Sequence, residues 1–254
     1  MNEFQSRQLV LNNHLVNYYN SIADNSDYNV IFIHGWLSSA NVWFHLMHAL
    51  NRIGISSYAL DLPGFGASQV PSTSVDNNFY ASTVQEFINK LNLKNVILVG
   101  HSNGGAIAVK LQVNNNIAQK LILIDAAGIR NKTFSKSIKT IIAKIVKPVF
   151  KLPILKPLRA KIYKAMGSED YLDSEYLKNT YKNVINEDIT NLYSSVMVPT
   201  LIIWGDQDKA TPIEFAHIIN KNISGSELKI INAGHFSFVD KPDVVINYLI
   251  NFIK

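Results

Sequence analysis

Two spacings of apolar residues alternate along this chain of 254 residues. Short, largely apolar runs closed by glycine, aspartate or histidine fall at 30–33, 56–60, 96–99, 120–124 and 200–204, and a more mixed run at 227–231 closes on Asn232. Runs of that length bounded by turn residues predict strands buried on both faces of a sheet. Between them lie stretches with helical spacing: 41–51 (Val42, Leu46, Ala49, Leu50), 76–91 with Asp76 as its cap, the small and apolar stretch after Ser102, 213–222 and 241–254. Residues 4–11 and 15–19 read instead as two strands of a hairpin turning at Asn12-Asn13. A hairpin followed by alternating strand and helix predicts an α/β fold. Its sheet is mostly parallel with an antiparallel N-terminal edge, and helices cover both faces.

The alternation breaks between 130 and 197. That stretch has no strand pattern, contains Pro148, Pro153 and Pro157, and carries amphipathic segments at 138–146 and 158–166. It is read as a helical cap inserted over the carboxyl edge of the sheet, which leaves residues 1–129 and 198–254 as the core. Asn114–Asn116 reads as loop. Composition adds one feature to this picture. The formal charge is +5, but residues 130–166 hold eleven Lys/Arg and no Asp/Glu, while the rest of the chain holds 13 basic and 19 acidic residues. The basic character therefore belongs to the cap. Lys132, Lys136, Lys139, Lys144 and Lys147 alternate there with isoleucine and valine. A solvated face is the plainest reading of that pattern; an anionic membrane surface or an acidic carrier protein are the two partners it suits. No nucleic-acid-binding module accompanies the charge, so nucleic acid is not an expected partner. Cysteine is absent, no apolar run approaches the length of a membrane span, and residues 1–11 are too polar for a signal peptide. A cytoplasmic protein is the expectation.

The chemistry converges on strand ends. The run 96–99 leads into Gly100-His101-Ser102-Asn103-Gly104-Gly105, with helical spacing directly after it. A serine on such a strand-to-helix corner projects its hydroxyl above the sheet, and side chains in place of the flanking glycines would collide with neighbouring backbone. The helix that begins after Ser102 offers free N–H groups at the same spot. A serine hydroxyl needs a base, a base needs an orienting acid, and the oxyanion needs donors. His235, in Asn232-Ala233-Gly234-His235-Phe236, alone among seven histidines follows a late strand in a loop of small residues. Asp125, Asp206 and Asp208 all follow strands; Asp208 lies deeper in its loop and is favoured modestly over Asp206. The backbone N–H groups of Asn103 and Trp36 are the candidate oxyanion donors. His34 reads as a structural histidine bonded to backbone. Trp43, His101 and Phe236 are the residues expected to line a substrate pocket, although Trp43 suits ordinary core and His101 a packed group equally well.

Taken together these segments resemble the α/β-hydrolase superfamily, in its branch with a helical cap. The resemblance spans nearly the whole chain. It rests on His34-Gly35-Trp36, on the segment Asp61-Leu62-Pro63-Gly64-Phe65-Gly66-Ala67-Ser68, on Gly100-His101-Ser102-Asn103-Gly104, on Trp204-Gly205-Asp206-Gln207-Asp208 and on Gly234-His235-Phe236. It implies Ser102 as nucleophile, Asp208 as acid, His235 as base, and Trp36 and Asn103 as oxyanion donors. Ser102 stands where dehalogenases and epoxide hydrolases of the superfamily carry aspartate, so those activities are not expected. The implied activity is hydrolysis of a small-molecule carboxylic ester through an acyl-enzyme, without metal or organic cofactor. A thioesterase, a carbon–carbon bond hydrolase or a cofactor-free haloperoxidase would use the same three residues. The superfamily also contains members that bind a small ligand without turning it over.

Overall fold

At the amino end, Asn12 and Asn13 adopt φ angles of 46° and 61°, the left-handed pair that a two-residue hairpin turn requires. They join β1 (Arg7–Leu11) to β2 (His14–Ser21), paired antiparallel from Arg7↔Tyr18 to Leu11↔His14. The first strand begins at Arg7 and not at residue 4. Phe4 leaves the ladder and packs its ring on Phe44 and His48, at centroid distances of 4.7 and 4.4 Å. The protein is described here from a computed structural model covering residues 4–130 and 175–254.

Six further strands complete the sheet: β3 (Asn29–Ile33), β4 (Ser56–Leu60), β5 (Val96–His101), β6 (Ala118–Ile124), β7 (Thr200–Gly205) and β8 (Glu227–Ile231). The spatial order is β1-β2-β4-β3-β5-β6-β7-β8. β2 pairs antiparallel with β4, and every later pairing is parallel. This is the α/β architecture with an antiparallel N-terminal edge. All six residues of β5 are buried, as are all six of β7, whereas β1 and β8 carry exposed positions because each has only one neighbour.

Alternation along the strands builds two separate cores. Ile31, Ile33, Leu98, Leu121, Leu123, Ile202 and Trp204 face one side. They pack with α2 (Asn77–Lys90), α3 (Asn103–Asn115) and α5 (Ile213–Asn222). Val30, Phe32, Ile97, Val99, Ile122, Ile124 and Ile203 face the other. They pack with α1 (Phe44–Asn51), the short α6 (Ser237–Asp240) and the C-terminal helix α7 (Pro242–Ile253). Two sequence expectations shift in detail. The helix expected at 41–51 begins as a 3-10 turn, Ala40–Trp43, whose first N–H donates to Asp61 Oδ1 at 2.7 Å. The asparagine run expected as loop is helical through Asn115, and Asn116 closes α3 at a left-handed φ of 48°. The side chain of Gln112 ties that end down, donating to Asn116 Oδ1 and accepting from the Ala118 N–H. Asp76 caps α2 as expected, accepting from the Phe79 N–H at 2.9 Å.

Between β6 and β7 the described residues include α4 (Glu175–Asn186) and a 3-10 turn, Thr190–Ser195. The basic segments at 138–146 and 158–166, and the membrane or carrier-protein surface expected on them, lie outside the described residues. Among the described residues no helix is long and apolar enough to cross a membrane. The chain returning from α4 is anchored by Glu187, which pairs with Lys110 of α3. The side chains of Lys110 and Glu187 are only 8% and 26% exposed. The other oxygen of Glu187 accepts from Asn77 Nδ2 at 2.7 Å, and Asn77 Oδ1 accepts from Asn103 Nδ2 at 3.0 Å. A buried ion pair is costly to break from one side because the remaining charge stays out of water. Glu187→Ala is therefore expected to lower stability by about 3 kcal/mol. In urea unfolding, the paired change Lys110→Met with Glu187→Leu should recover most of that loss.

Candidate active site

The site is built on the corner between β5 and α3. Ser102 has φ 51° and ψ −120°, a conformation that L residues seldom adopt and that costs on the order of 1–3 kcal/mol. Backbone bonds hold it there. Its N–H donates to Ile124 O at 3.1 Å, and its carbonyl accepts from Gly105 N–H at 3.0 Å and Ala127 N–H at 2.8 Å. The corner also demands close backbone approach. A Cβ at Gly104 would lie 2.1 Å from Ile33 O, and one at Gly100 would lie 2.3 Å from Gly104 O. The glycines flanking Ser102 therefore let the helix start press directly against β3 and β5.

Three sequence candidates meet at this corner. His235 Nε2 lies 3.1 Å from Ser102 Oγ, and His235 Nδ1 lies 2.7 Å from Asp208 Oδ2. The acceptor-only carboxylate places the proton on Nδ1 and leaves Nε2 free to accept from the serine. The side chain of Asp208 is fully buried. Its Oδ1 accepts from the Ala210 and Thr211 N–H groups at 2.7 and 2.9 Å, and its Oδ2 accepts from the Thr211 hydroxyl at 2.5 Å. Burial alone would push this carboxyl up; the bonds from His235 and Thr211 and the charge of His235 outweigh it and hold Asp208 below the usual carboxylate range. Asp206, the rival acid, is exposed, and its N–H is used in a backbone bond to Ile231 O. Thr211 escaped the sequence reading; the signal available was a hydroxyl residue three positions after Asp208, able to hydrogen-bond back along its own loop.

The two expected oxyanion donors flank the serine. Asn103 opens α3, so its N–H has no partner within the helix. Trp36 follows Gly35, where a Cβ would come within 3.0 Å of Ser102 Cβ. Among the described residues neither N–H donates to a protein acceptor. The orientation of the Gly35–Trp36 peptide is set by His34. The Leu62 N–H donates to His34 Nε2 at 3.0 Å, which leaves the ring proton on Nδ1, 2.8 Å from Gly35 O. The Ser38 N–H donates to the same carbonyl at 3.3 Å. In a trans peptide the N–H points away from the carbonyl, so the Trp36 N–H faces away from His34. The ring of Trp36 packs on Phe65 and on Tyr181 of α4, at 5.1 and 5.5 Å between centroids.

Two of the three residues expected to line a pocket are buried. Trp43 is fully buried in the core, stacked between Phe32 and Phe238 at 5.0 and 4.4 Å, because the 3-10 turn aims it at the sheet. His101 is 1% exposed and packs behind the catalytic candidates. Its Nε2 donates to His235 O at 2.7 Å, while its Nδ1 is buried without a partner. Burial, with the neighbouring His235, pulls His101 down to about 3, so it is a neutral, packed support of the His235 loop. Phe236 is 41% exposed and lies beside His101 and His235, at 4.9 and 5.4 Å. Among the described residues no group of three or more His, Cys, Asp or Glu is arranged to hold a metal ion.

Comparison with known proteins agrees with this architecture. A family model for the alpha/beta hydrolase fold matches residues 28–160 and 125–242. The chain is 28% identical over 247 residues to the AB hydrolase superfamily protein YisY of Bacillus subtilis (strain 168), covering 88% of this chain and 90% of that protein. It is 26% identical over 249 residues to the pimeloyl-(acyl-carrier protein) methyl ester esterase of Wigglesworthia glossinidia brevipalpis, covering 89% and 93%. The fold matches that of an esterase from Exiguobacterium antarcticum with a TM-score of 0.77 and 24% identity, over 98% of this chain and 99% of the other.

The depressed basicity of His101 has a measurable consequence. Below its ordinary value of 6.5 the unfolded chain takes a proton at this residue, while the folded protein does not until about pH 3. The contribution of His101 to stability is thus complete above pH 6.5 and lost as pH falls toward 3, at about 1.4 kcal/mol per pH unit. The stability difference between wild type and His101→Gln, from urea unfolding at pH 7 and pH 4.5, should shift against the wild type on acidification.

Proposed function

The chain belongs to the alpha/beta hydrolase family, and on that premise we propose that it hydrolyses carboxylic esters, with Ser102 as nucleophile, His235 as general base and Asp208 as the acid. The observation that carries this reading is the separation of 3.1 Å between Ser102 Oγ and His235 Nε2, on a corner held in a rare backbone conformation. A hydroxyl in that position has a base within reach and is presented to a bound carbonyl. The activity named for one relative, a methyl ester esterase, supports the choice of an ester substrate.

In this mechanism His235 Nε2 takes the hydroxyl proton as Ser102 Oγ attacks the ester carbonyl. The carbonyl oxygen becomes negative and is received by the N–H groups of Trp36 and Asn103. Asp208, kept ionised by its own hydrogen bonds, holds the Nδ1 proton and stabilises the imidazolium. The tetrahedral adduct collapses; the carbon–alkoxy bond breaks, and the alcohol leaves with the proton from Nε2. Water then loses a proton to the same nitrogen as it attacks the acyl-enzyme. A second collapse releases the acid and returns the proton to Ser102.

Ser102→Ala is expected to abolish both hydrolysis of p-nitrophenyl acetate and labelling by a fluorophosphonate, with an unchanged circular dichroism spectrum. Activity that survives this substitution would overturn the assignment. Asp208→Asn should lower kcat by about 100-fold or more, whereas Asp206→Asn should stay within about threefold because that side chain faces solvent.

A further inference from the structure

A second buried aspartate stands behind the catalytic candidates and takes no part in the mechanism above. Asp125 directly follows β6, adopts a left-handed φ of 46° and is 0% exposed. Its two carboxylate oxygens are shared between two different loops. Oδ1 accepts from the Gly205 N–H at 2.8 Å, three residues before Asp208. Oδ2 accepts from the Ser237 N–H at 3.1 Å, two residues after His235. Its backbone is committed as well: the Asp125 N–H donates to Ile203 O at 3.0 Å, and its carbonyl oxygen lies 3.0 Å from the Thr211 hydroxyl oxygen. That hydroxyl is the one that also reaches Asp208 Oδ2 and lies 3.3 Å from His235 Nδ1.

We propose that Asp125 is a positioning residue for the Asp208–His235 pair, its carboxylate clamping the loop after β7 to the loop after β8. The proposal rests on the ester-hydrolase reading of the site. Both loops leave the sheet at strand ends, and the bond between Asp208 and His235 spans them. Its length depends on how far apart the two loops are held. Asp125 bridges them one layer below. A carboxylate suits the task because it offers two acceptor oxygens to two converging N–H donors. An asparagine would offer one acceptor and set its own amide N–H groups against the second donor.

The charge on this clamp is costly. Burial, with Asp208 nearby, pushes the Asp125 carboxyl up to about 7 despite the bonds it accepts. The ionisable groups on the loops and strand ends around it are Asp208 with the exposed Asp206 and Lys209 after β7, His235 and Asp240 after β8, and His101 at the end of β5. Asp240 is engaged with the Gly234 N–H, and His101 is neutral. As pH falls through about 7, Asp125 takes up a proton and one oxygen weakens as an acceptor. The acid limb of kcat/KM then records the clamp as well as the general base.

The test compares the full-length wild type with Asp125→Asn, measuring kcat and KM for p-nitrophenyl acetate from pH 5 to 9, and fluorophosphonate labelling. The expected result is a fall in kcat of about tenfold or more with KM within about twofold, as for a misplaced catalytic group. The acid limb should become shallower and move to lower pH. A kcat within about threefold of wild type overturns the proposal. So does a fall in kcat with the acid limb unchanged, which would leave Asp125 a packing role. If the variant does not fold, the wild-type limb decides: dependence on two protons supports the clamp and dependence on one overturns it. Failure of the wild type itself to label at Ser102 overturns the hydrolase reading along with this one. A labelled wild type with an indifferent variant overturns only the clamp.

Discussion

Everything at the carboxyl edge of the sheet depends on how closely the start of α3 approaches β3 and β5. Backbone meets backbone there with no side chain between, and a single methyl group at Gly104 would collide with Ile33 O at 2.1 Å. That approach forces the chain to reverse within one residue, and the residue is Ser102 at φ 51°. The strain is tolerable because both polar groups of the Ser102 backbone are hydrogen-bonded to their neighbours. The same compression brings Gly35 against Ser102, so the segment bearing the Trp36 N–H and the helix start bearing the Asn103 N–H flank one hydroxyl. Packing, strain and the placement of donors are consequences of one contact.

Around that corner, buried polar groups are arranged in successive layers, and their charges are unevenly distributed. His34 and His101 are buried and held below their ordinary basicity, which keeps them neutral supports bonded to backbone. Asp208 is buried yet held ionised because its hydrogen bonds overcome the cost of desolvation. Asp125, where the cost of burial outweighs the bonds it accepts and another carboxylate lies near, is pushed the opposite way. Two aspartates on neighbouring strand ends thus have opposed tendencies, and the main difference is the imidazole: Asp208 faces His235, whereas Asp125 is bonded to the loop N–H groups of Gly205 and Ser237. The wider network reaches the chain returning from α4, since Lys110, Glu187, Asn77 and Asn103 form one continuous polar path through the core.

Much of this was legible in the chain itself. Strand runs, helical spacing and turn residues carry the order of the elements, because apolar periodicity reports directly which faces are buried. Small residues in Gly100-His101-Ser102-Asn103-Gly104 announce a close approach, and aspartate and histidine at later strand ends announce polar groups at the same edge of a parallel sheet. The asparagine pair of the hairpin and the aspartate cap of α2 are local signals, and each formed where its neighbours along the chain indicated. Phe4, Asn114 and Asn115 were misread because a ring contact with α1 and a side-chain tie from Gln112 settle those ends.

What only the tertiary structure decided is the set of relations between loops far apart in sequence. Spacing along the chain does not say that Asp208 turns inward while Asp206 faces water, that Thr211 folds back on Asp208, or that Trp43 enters the core instead of a pocket. Nor does it say that Asp125, plausible by position as an acid, spends both oxygens on backbone donors. Residue type and periodicity determined which chemistry arrives at the sheet edge, since both are properties of short segments. Which groups touch there was decided by crossover connections that bring strand ends together from 133 residues apart, as with Ser102 and His235. A distance of that kind is fixed by the packing of the whole sheet, and no local stretch of sequence encodes it.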